Sequence, residues 1–354
     1  MYKLYRLPPE WAPQAAVLLT WPHTASDWQD LPSTQRCFAA LAAALLQRAH
    51  LLVLCNDAQV QADAKQAITD ALEQHQAAHS PVAYQVLWVQ IPNNDCWARD
   101  HGPITVFDAA HQPLWLDFQF TGWGHKYPSD LDDAIVAQLS QSPFAVPRLA
   151  VPVVLEGGAI DTDGAGSLLV SARCVLHENR NNGLQRTDFE KIFETYFGCT
   201  QVLWLDHGYL QGDDTDAHID TLARFTPRRG IVYVACDDPN DAHYAELQAM
   251  QQQLRLMSDQ HGQPYQLHAL PWPPAIFSSS GQRLPASYAN FLILNGAVFV
   301  PVYGVSTDSA ALAVIQNAFP DYDVQAIDCR ALIEQFGSLH CVTMQLPADV
   351  IKGI

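Results

Sequence analysis

The chain of 354 residues carries a formal net charge of −18, from 37 acidic against 19 basic residues. This balance argues against a nucleic-acid partner, since phosphate neutralisation needs Lys and Arg, and it favours encounter with a small cation. A hydrophobic content of 49% with 16% charged residues is ample for a packed core and argues against disorder, and no apolar run approaches the ~20 residues a membrane span needs.

Taken in chain order, Ala and Leu recur on a helical period over about 34–49 behind a Ser33/Thr34 cap. Leu51-Leu52-Val53-Leu54 reads as a strand, about 57–78 as a helix, and Tyr84 to Ile91 as a second strand. Helical patterns return near 130–140, 187–197, 241–258 and 308–318, with β-branched runs at Ile231–Val234 and Val298–Val302. Strand-rich pairs broken by single helices differ from doubly wound folds, which alternate one strand with one helix. No low-complexity tract or Gly/Ser linker divides the chain, and Pro271-Trp272-Pro273-Pro274 reads as a packed loop. One α/β domain over 1–354 is therefore expected. Eight cysteines, at 37, 55, 96, 174, 199, 236, 329 and 341, form no CxxC pair, as expected of reduced thiols. Met1-Tyr2-Lys3-Leu4-Tyr5-Arg6-Leu7-Pro8 has no apolar signal segment, so the expected location is cytoplasmic.

Four short segments concentrate polar chemistry. In Trp97-Ala98-Arg99-Asp100 a carboxylate matches a guanidinium edge through paired hydrogen bonds and an indole stacks on its plane. The alternative is an Arg99–Asp100 ion pair beside a packed Trp. Glu156 precedes Gly157-Gly158 after the apolar run Val153-Val154-Leu155, either as a site residue or as an ordinary strand-end glutamate. His218 and Asp220 alternate on the β-prone run Ala217 to Leu222. In a strand they would share one face, suiting proton transfer beside a grip on a cation. A hydrogen-bonded core histidine or a metal pair are the alternatives, though no further cluster has ligand spacing. Cys341 follows a Gly337-Ser338 turn and opens a short β-prone run. It is a candidate nucleophile, or else a buried structural thiol. On that strand His340 would point to the opposite face, which favours His218 as the base. These positions, with an echo at Tyr288-Ala289-Asn290, recur at steps of roughly 50 to 70 residues, suggesting a pseudo-repeated ring.

Together with Leu7-Pro8-Pro9-Glu10-Trp11-Ala12-Pro13-Gln14, Leu19-Thr20-Trp21-Pro22-His23, Asn94 to Pro103, Gly212 to Asp220 and Leu339-His340-Cys341, these motifs resemble the agmatine deiminases of the guanidine-modifying superfamily. The likeness covers nearly the whole chain. It implies the pentein α/β-propeller, five ββαβ modules around an acidic channel. It also implies Cys341 as nucleophile, His218 as acid/base, Asp100 and Asp220 holding the guanidinium, Glu156 completing the catalytic set and Trp97 contacting substrate. No metal or organic cofactor is needed, the partner is a small guanidino cation such as agmatine, and a homo-oligomer is left open. Free arginine or peptidyl-arginine as substrate, or a non-catalytic propeller acting as a binding module, are the alternatives. Phe336-Gly337-Ser338 stands where many such enzymes carry a longer glycine run, and Met344 where a glutamine is frequent.

Overall fold

The apolar runs at 51–54, 231–234 and 298–302 each become the buried middle of a small sheet, while Val86–Gln90 lies half-buried at a sheet edge. In this computed structural model, which describes residues 5–76 and 84–351, His50–Cys55 lies between Gln14–Thr20 and Val86–Gln90, parallel to both. Met344–Pro347 adds an antiparallel strand beside Gln14–Thr20, with Leu18 opposite Met344. Four three-stranded sheets follow. The second holds Ile104–Phe107, Pro113–Gln119 and Arg148–Val154. The third holds Ile160–Thr162, Ser167–Ser171 and Gln201–Leu205. The fourth holds Ala223–Thr226, Gly230–Val234 and Gln266–Leu270, and the fifth Leu292–Leu294, Ala297–Val302 and Asp323–Asp328. In all four the first pair is antiparallel and the second parallel. A parallel pair needs a crossover, and the helices supply it: Asp130–Asp133 with Ile135–Leu139, then Arg186–Phe197, Tyr244–Arg255 and Asp308–Ala318. A two-stranded hairpin, Ile276–Phe277 with Arg283–Leu284, stands apart.

The mixed α/β character follows the hydrophobic pattern, while several boundaries move. The first helix runs Leu31–Leu45, not 34–49, because Asp30 accepts from the Ser33 N–H at 3.0 Å and Pro32 suits the first turn. The expected helix over 130–140 is two short pieces meeting at Ala134. The second helix is Ala58–Gln76, and the last two expected residues, 77 and 78, lie outside the described ones. Arg186–Phe197 ends at Gly198 in the left-handed conformation that glycine tolerates.

Side chains from different sheets interlock between these units. Phe291 is fully buried, with the Phe319 ring edge-on at 5.5 Å and the Arg224 guanidinium 5.0 Å from its centroid. Truncating it leaves a cavity that rigid strands cannot close. Phe291→Ala should therefore cost about 3–5 kcal/mol in urea unfolding, and a loss below ~1 kcal/mol would mean the sheets are not locked there.

Candidate active site

Five polar segments occupy the same structural place: each enters the antiparallel edge strand of a different sheet. Asp100 lies on the one-turn helix Ala98–His101 before Ile104–Phe107, and Glu156 precedes the Gly157–Ala159 turn before Ile160–Thr162. His218 and Asp220 precede Ala223–Thr226, Asn290 precedes Leu292–Leu294, and Cys341 precedes Met344–Pro347.

The first group surrounds His218, whose side chain is 1% exposed. Its Nδ1 lies 3.6 Å from Asp100 Oδ1 and its Nε2 3.8 Å from Glu156 Oε2. Neither ring nitrogen has a hydrogen-bond partner. Burial opposes the imidazolium, but Asp100, Cys174 and Glu156 prevail and hold the ring well above the ordinary histidine range. Asp100 accepts from Trp123 Nε1 at 2.9 Å and from the Gly158 N–H at 3.0 Å. Burial pushes its carboxyl up, assisted by Asp220 and Glu156 and resisted by His218. Glu156 takes both bonds of Arg180 Nε, at 2.8 and 2.9 Å. Burial works against its charge, yet His218 and Arg180 keep its carboxyl below the usual range.

His218 is presented by a strained turn, not by the strand its alternation suggested. Asp216 and Ala217 are both left-handed, at φ 65° and 69°. Asp213 accepts from the Thr215 and Ala217 N–H groups, and Arg180 reaches the Thr215 carbonyl and Asp216. His218 then caps the 3₁₀ turn Ile219–Thr221. His218 and Asp220 diverge accordingly, toward Glu156 and toward His340.

The second group surrounds Cys341. It sits in a turn, and the strand begins only at Met344. Its Sγ is 3.4 Å from Asn290 Oδ1 and 4.0 Å from Asp220 Oδ2. Burial, then the charges of Asp220 and Asp100, push its thiol well above the usual range. The neighbouring His340 is bonded at both ring nitrogens, to Asp220 Oδ2 and Glu10 Oε2 at 2.7 Å each, so it has no free nitrogen for base work. Arg99 turns away from Asp100: its N–H donates to the Cys341 carbonyl at 3.1 Å, its Nε to the His340 carbonyl at 3.4 Å and its Nη1 to Gln345. It braces the cysteine turn, which removes the Arg99–Asp100 ion pair.

Asp100 and Cys341 face a cavity of about 1020 Å³ that also touches Trp97, Trp123, Asp95 and Asp214. Trp97 packs against Trp28 with ring centroids 5.7 Å apart, and Gly337 lies against its face, where any Cβ would collide. Burial raises Asp95 to about 7 and Asp214 to about 6. Glu156, Cys174 and His218 bring their ligand atoms within 4.8 Å of one another, as a metal trio could, although the Arg180 cation already occupies both Glu156 oxygens. Sequence pattern missed Glu10, Trp123, Cys174 and Arg180, and saw Asn290 only as an echo. Gly122-Trp123-Gly124, all at positive φ, was the one local signal; the others acquire meaning only through contacts across sheets.

Comparison with known proteins gives the family of the chain. Residues 6–347 match the model of the Porphyromonas-type peptidyl-arginine deiminase family. A Vibrio parahaemolyticus protein provisionally named an agmatine deiminase is 33% identical, covering 97% of each chain. A Porphyromonas gingivalis structure provisionally named an arginine deiminase is 44% identical with a TM-score of 0.88, covering 98% of this chain and 100% of its own. A cysteine-to-serine variant of C. jejuni agmatine deiminase with substrate bound is 32% identical with a TM-score of 0.87, covering 97% and 96%. The chain belongs to the Porphyromonas-type peptidyl-arginine deiminase family, to which its own motifs already pointed.

Proposed function

We propose that this protein hydrolyses agmatine to N-carbamoylputrescine and ammonia, as one cytoplasmic domain over 1–354 whose five sheets close into a propeller. The observation that carries the reading is the buried Cys341 thiol set beside Asp220 and within the field of Asp100. Burial and those carboxylates suppress the thiolate. A guanidinium between them offsets both charges, so the substrate itself draws the thiol toward ionisation.

The Cys341 thiolate then attacks the guanidinium carbon, forming a C–S bond and a tetrahedral adduct. The His218 imidazolium gives its proton to one nitrogen, which leaves as ammonia. An amidino-thioether remains on Cys341 and His218 is neutral. His218 next takes a proton from water as the water oxygen bonds to the same carbon. As the adduct's hydroxyl gives its remaining proton to water, the C–S bond breaks, the thiolate is restored and the neutral ureido product departs. Asp100 and Asp220 hold the nitrogens, Glu156 secures His218, and the Trp97 indole covers the guanidinium plane.

Among the residues lining the cavity, Asp95 and Asp214 suit the far amine of agmatine. The two cavity arginines are engaged: Arg330 on Asp328 at 2.6 to 3.1 Å and Arg36 on Ser33 at 2.7 Å. Arg330 is paired with a carboxylate, whereas Arg36 donates to a neutral hydroxyl, so Arg36 is the lining cation that an α-carboxylate would have to use. Free arginine stands as a second reading because of the 44% identity to the P. gingivalis protein. Ammonia release from agmatine, arginine and a peptidyl-arginine separates the three. We expect kcat/KM for agmatine to exceed the others by at least ~10-fold, about 1.4 kcal/mol; arginine turned over as well as agmatine would reverse the assignment.

Cys341→Ser should abolish turnover and retain agmatine binding in calorimetry, and His218→Asn should lower kcat by ~100- to 10,000-fold. Ammonia release persisting in the serine variant would remove Cys341 as nucleophile. A Cβ on Gly158 would stand 2.5 Å from His218 Nδ1 and 2.9 Å from Asp100 Oδ1. Gly158→Ala should therefore cut kcat/KM by at least ~10-fold, since small displacements of catalytic groups are costly, while the cooperative thermal melt survives. Unchanged kinetics would show that the spacing of Asp100 and His218 is not critical.

A further inference from the structure

We propose that His340 is a positioning residue for the deimination: fixed as an imidazolium between Glu10 and Asp220, it ties down one oxygen of Asp220 and leaves the other to the substrate. This rests on the reading that Asp220 grips the guanidinium. His340, Glu10 and Asp220 are 2%, 4% and 0% exposed, so water cannot satisfy any of them. Both ring nitrogens lie 2.7 Å from carboxylate oxygens. Ionised carboxylates only accept. The ring therefore donates twice and carries a positive charge, with Glu10 as its counter-ion.

The consequence for Asp220 is asymmetric. Its Oδ2 is held by His340, while its buried Oδ1 has no partner. That free oxygen is available to a cation. The same His340 precedes Cys341, and Arg99 braces the carbonyls of both, so the orientation of Asp220 and the seat of the sulfur are set by one short turn. Other charges face this line from several elements. Arg224 donates to Glu10 at 2.6 Å and lies 3.3 Å from Asp161, and Arg99 Nη2 is 3.9 Å from Glu10. His218, Asp100 and Cys341 act on Asp220 from within the site. Burial resists the Asp220 charge, but the His340 bond leads the groups that keep its carboxyl below the ordinary range. Without His340 that carboxyl ionises at higher pH, so the acidic limb of any rate that needs it charged moves upward.

Two substitutions divide the double contact. An asparagine amide can stand near the position of Nδ1 and keep the Asp220 contact; a glutamine amide reaches toward Nε2 and keeps Glu10. We would measure kcat/KM for agmatine from pH 3 to 9 in the wild type, His340→Gln, His340→Asn, Asp220→Asn and the double variant His340→Gln/Asp220→Asn. His340→Gln should lose roughly 10- to 100-fold, the scale of one charge-assisted hydrogen bond, with its acidic limb raised by about one pH unit. His340→Asn should lose less. The double variant should be no slower than Asp220→Asn alone, because His340 acts through Asp220. Additive losses, an unmoved acidic limb or equal effects of the two amides would overturn the proposal. If the glutamine variant does not fold, His340→Ala, which likewise removes the Asp220 contact, carries the same pH comparison. Failure of the underlying reading looks different: Asp220→Asn alone would leave kcat/KM unchanged, and the role of His340 would fall with it.

Discussion

Carboxylates kept away from water are the constraint on which this structure depends. Glu10, Asp100, Glu156, Asp161 and Asp220 are all 9% exposed or less, and an ionised carboxylate is tolerated there only beside cations and donors. Three neighbouring cations each serve two acids. Arg224 serves Glu10 and Asp161, Arg180 serves Glu156 and Asp216, and His340 serves Glu10 and Asp220. The bonds from Arg224 to Glu10 and Asp161, from Arg180 to Asp216 and from His340 to Asp220 run between segments of different sheets, so satisfying those charges also fixes how the sheets meet. Removing one partner from a buried pair typically costs ~3–5 kcal/mol, which makes the network close to all-or-none.

Within that network the balance is uneven. Around Glu10, Asp161 and Asp220 stand Arg99, Arg224 and His340, three cations for three anions. Among the described residues Asp100 is ion-paired with His218 alone, shared with Glu156, and accepts from two neutral donors, Trp123 and Gly158. Its raised carboxyl registers that shortfall, as does the suppressed Cys341 thiolate. In the proposed reaction a guanidinium supplies the missing positive charge. Specificity for a cation and activation of sulfur then become one electrostatic event.

The sequence showed some of this directly and some of it misleadingly. Helices over 186–197 and 308–318 were legible because their apolar residues recur on a helical period within clear boundaries. Asp100, Glu156, His218, Asp220 and Cys341 stood out because rare polar types sat beside glycine, tryptophan or proline. The conformation around two of them did not follow. Ala217 to Leu222 alternates like a strand, but the side-chain acceptors of Asp213 stabilise a left-handed turn that periodicity cannot register. Glu10 illustrates a second limit. Its partners, His340, Arg224 and Ile293, are distant in the chain, so nothing local marked it as a neighbour of the nucleophile. Only its membership in a family-like motif made it noticeable.

The strand Met344–Pro347 pairs with Gln14–Thr20, and this pairing bears on how the molecule comes into being. It joins segments more than three hundred residues apart, the kind of long-range contact whose closure entropy makes folding slow. Cys341 lies at the threshold of that strand. During synthesis the segments bearing Asp100, Glu156, His218 and Asp220 emerge first, and their sheets can form while the thiol is still to come. The Cys341 thiol is thus withheld from Asn290 and Asp220 until Met344–Pro347 and Gln14–Thr20 have paired, so its surroundings are completed only in a molecule whose first sheet has closed.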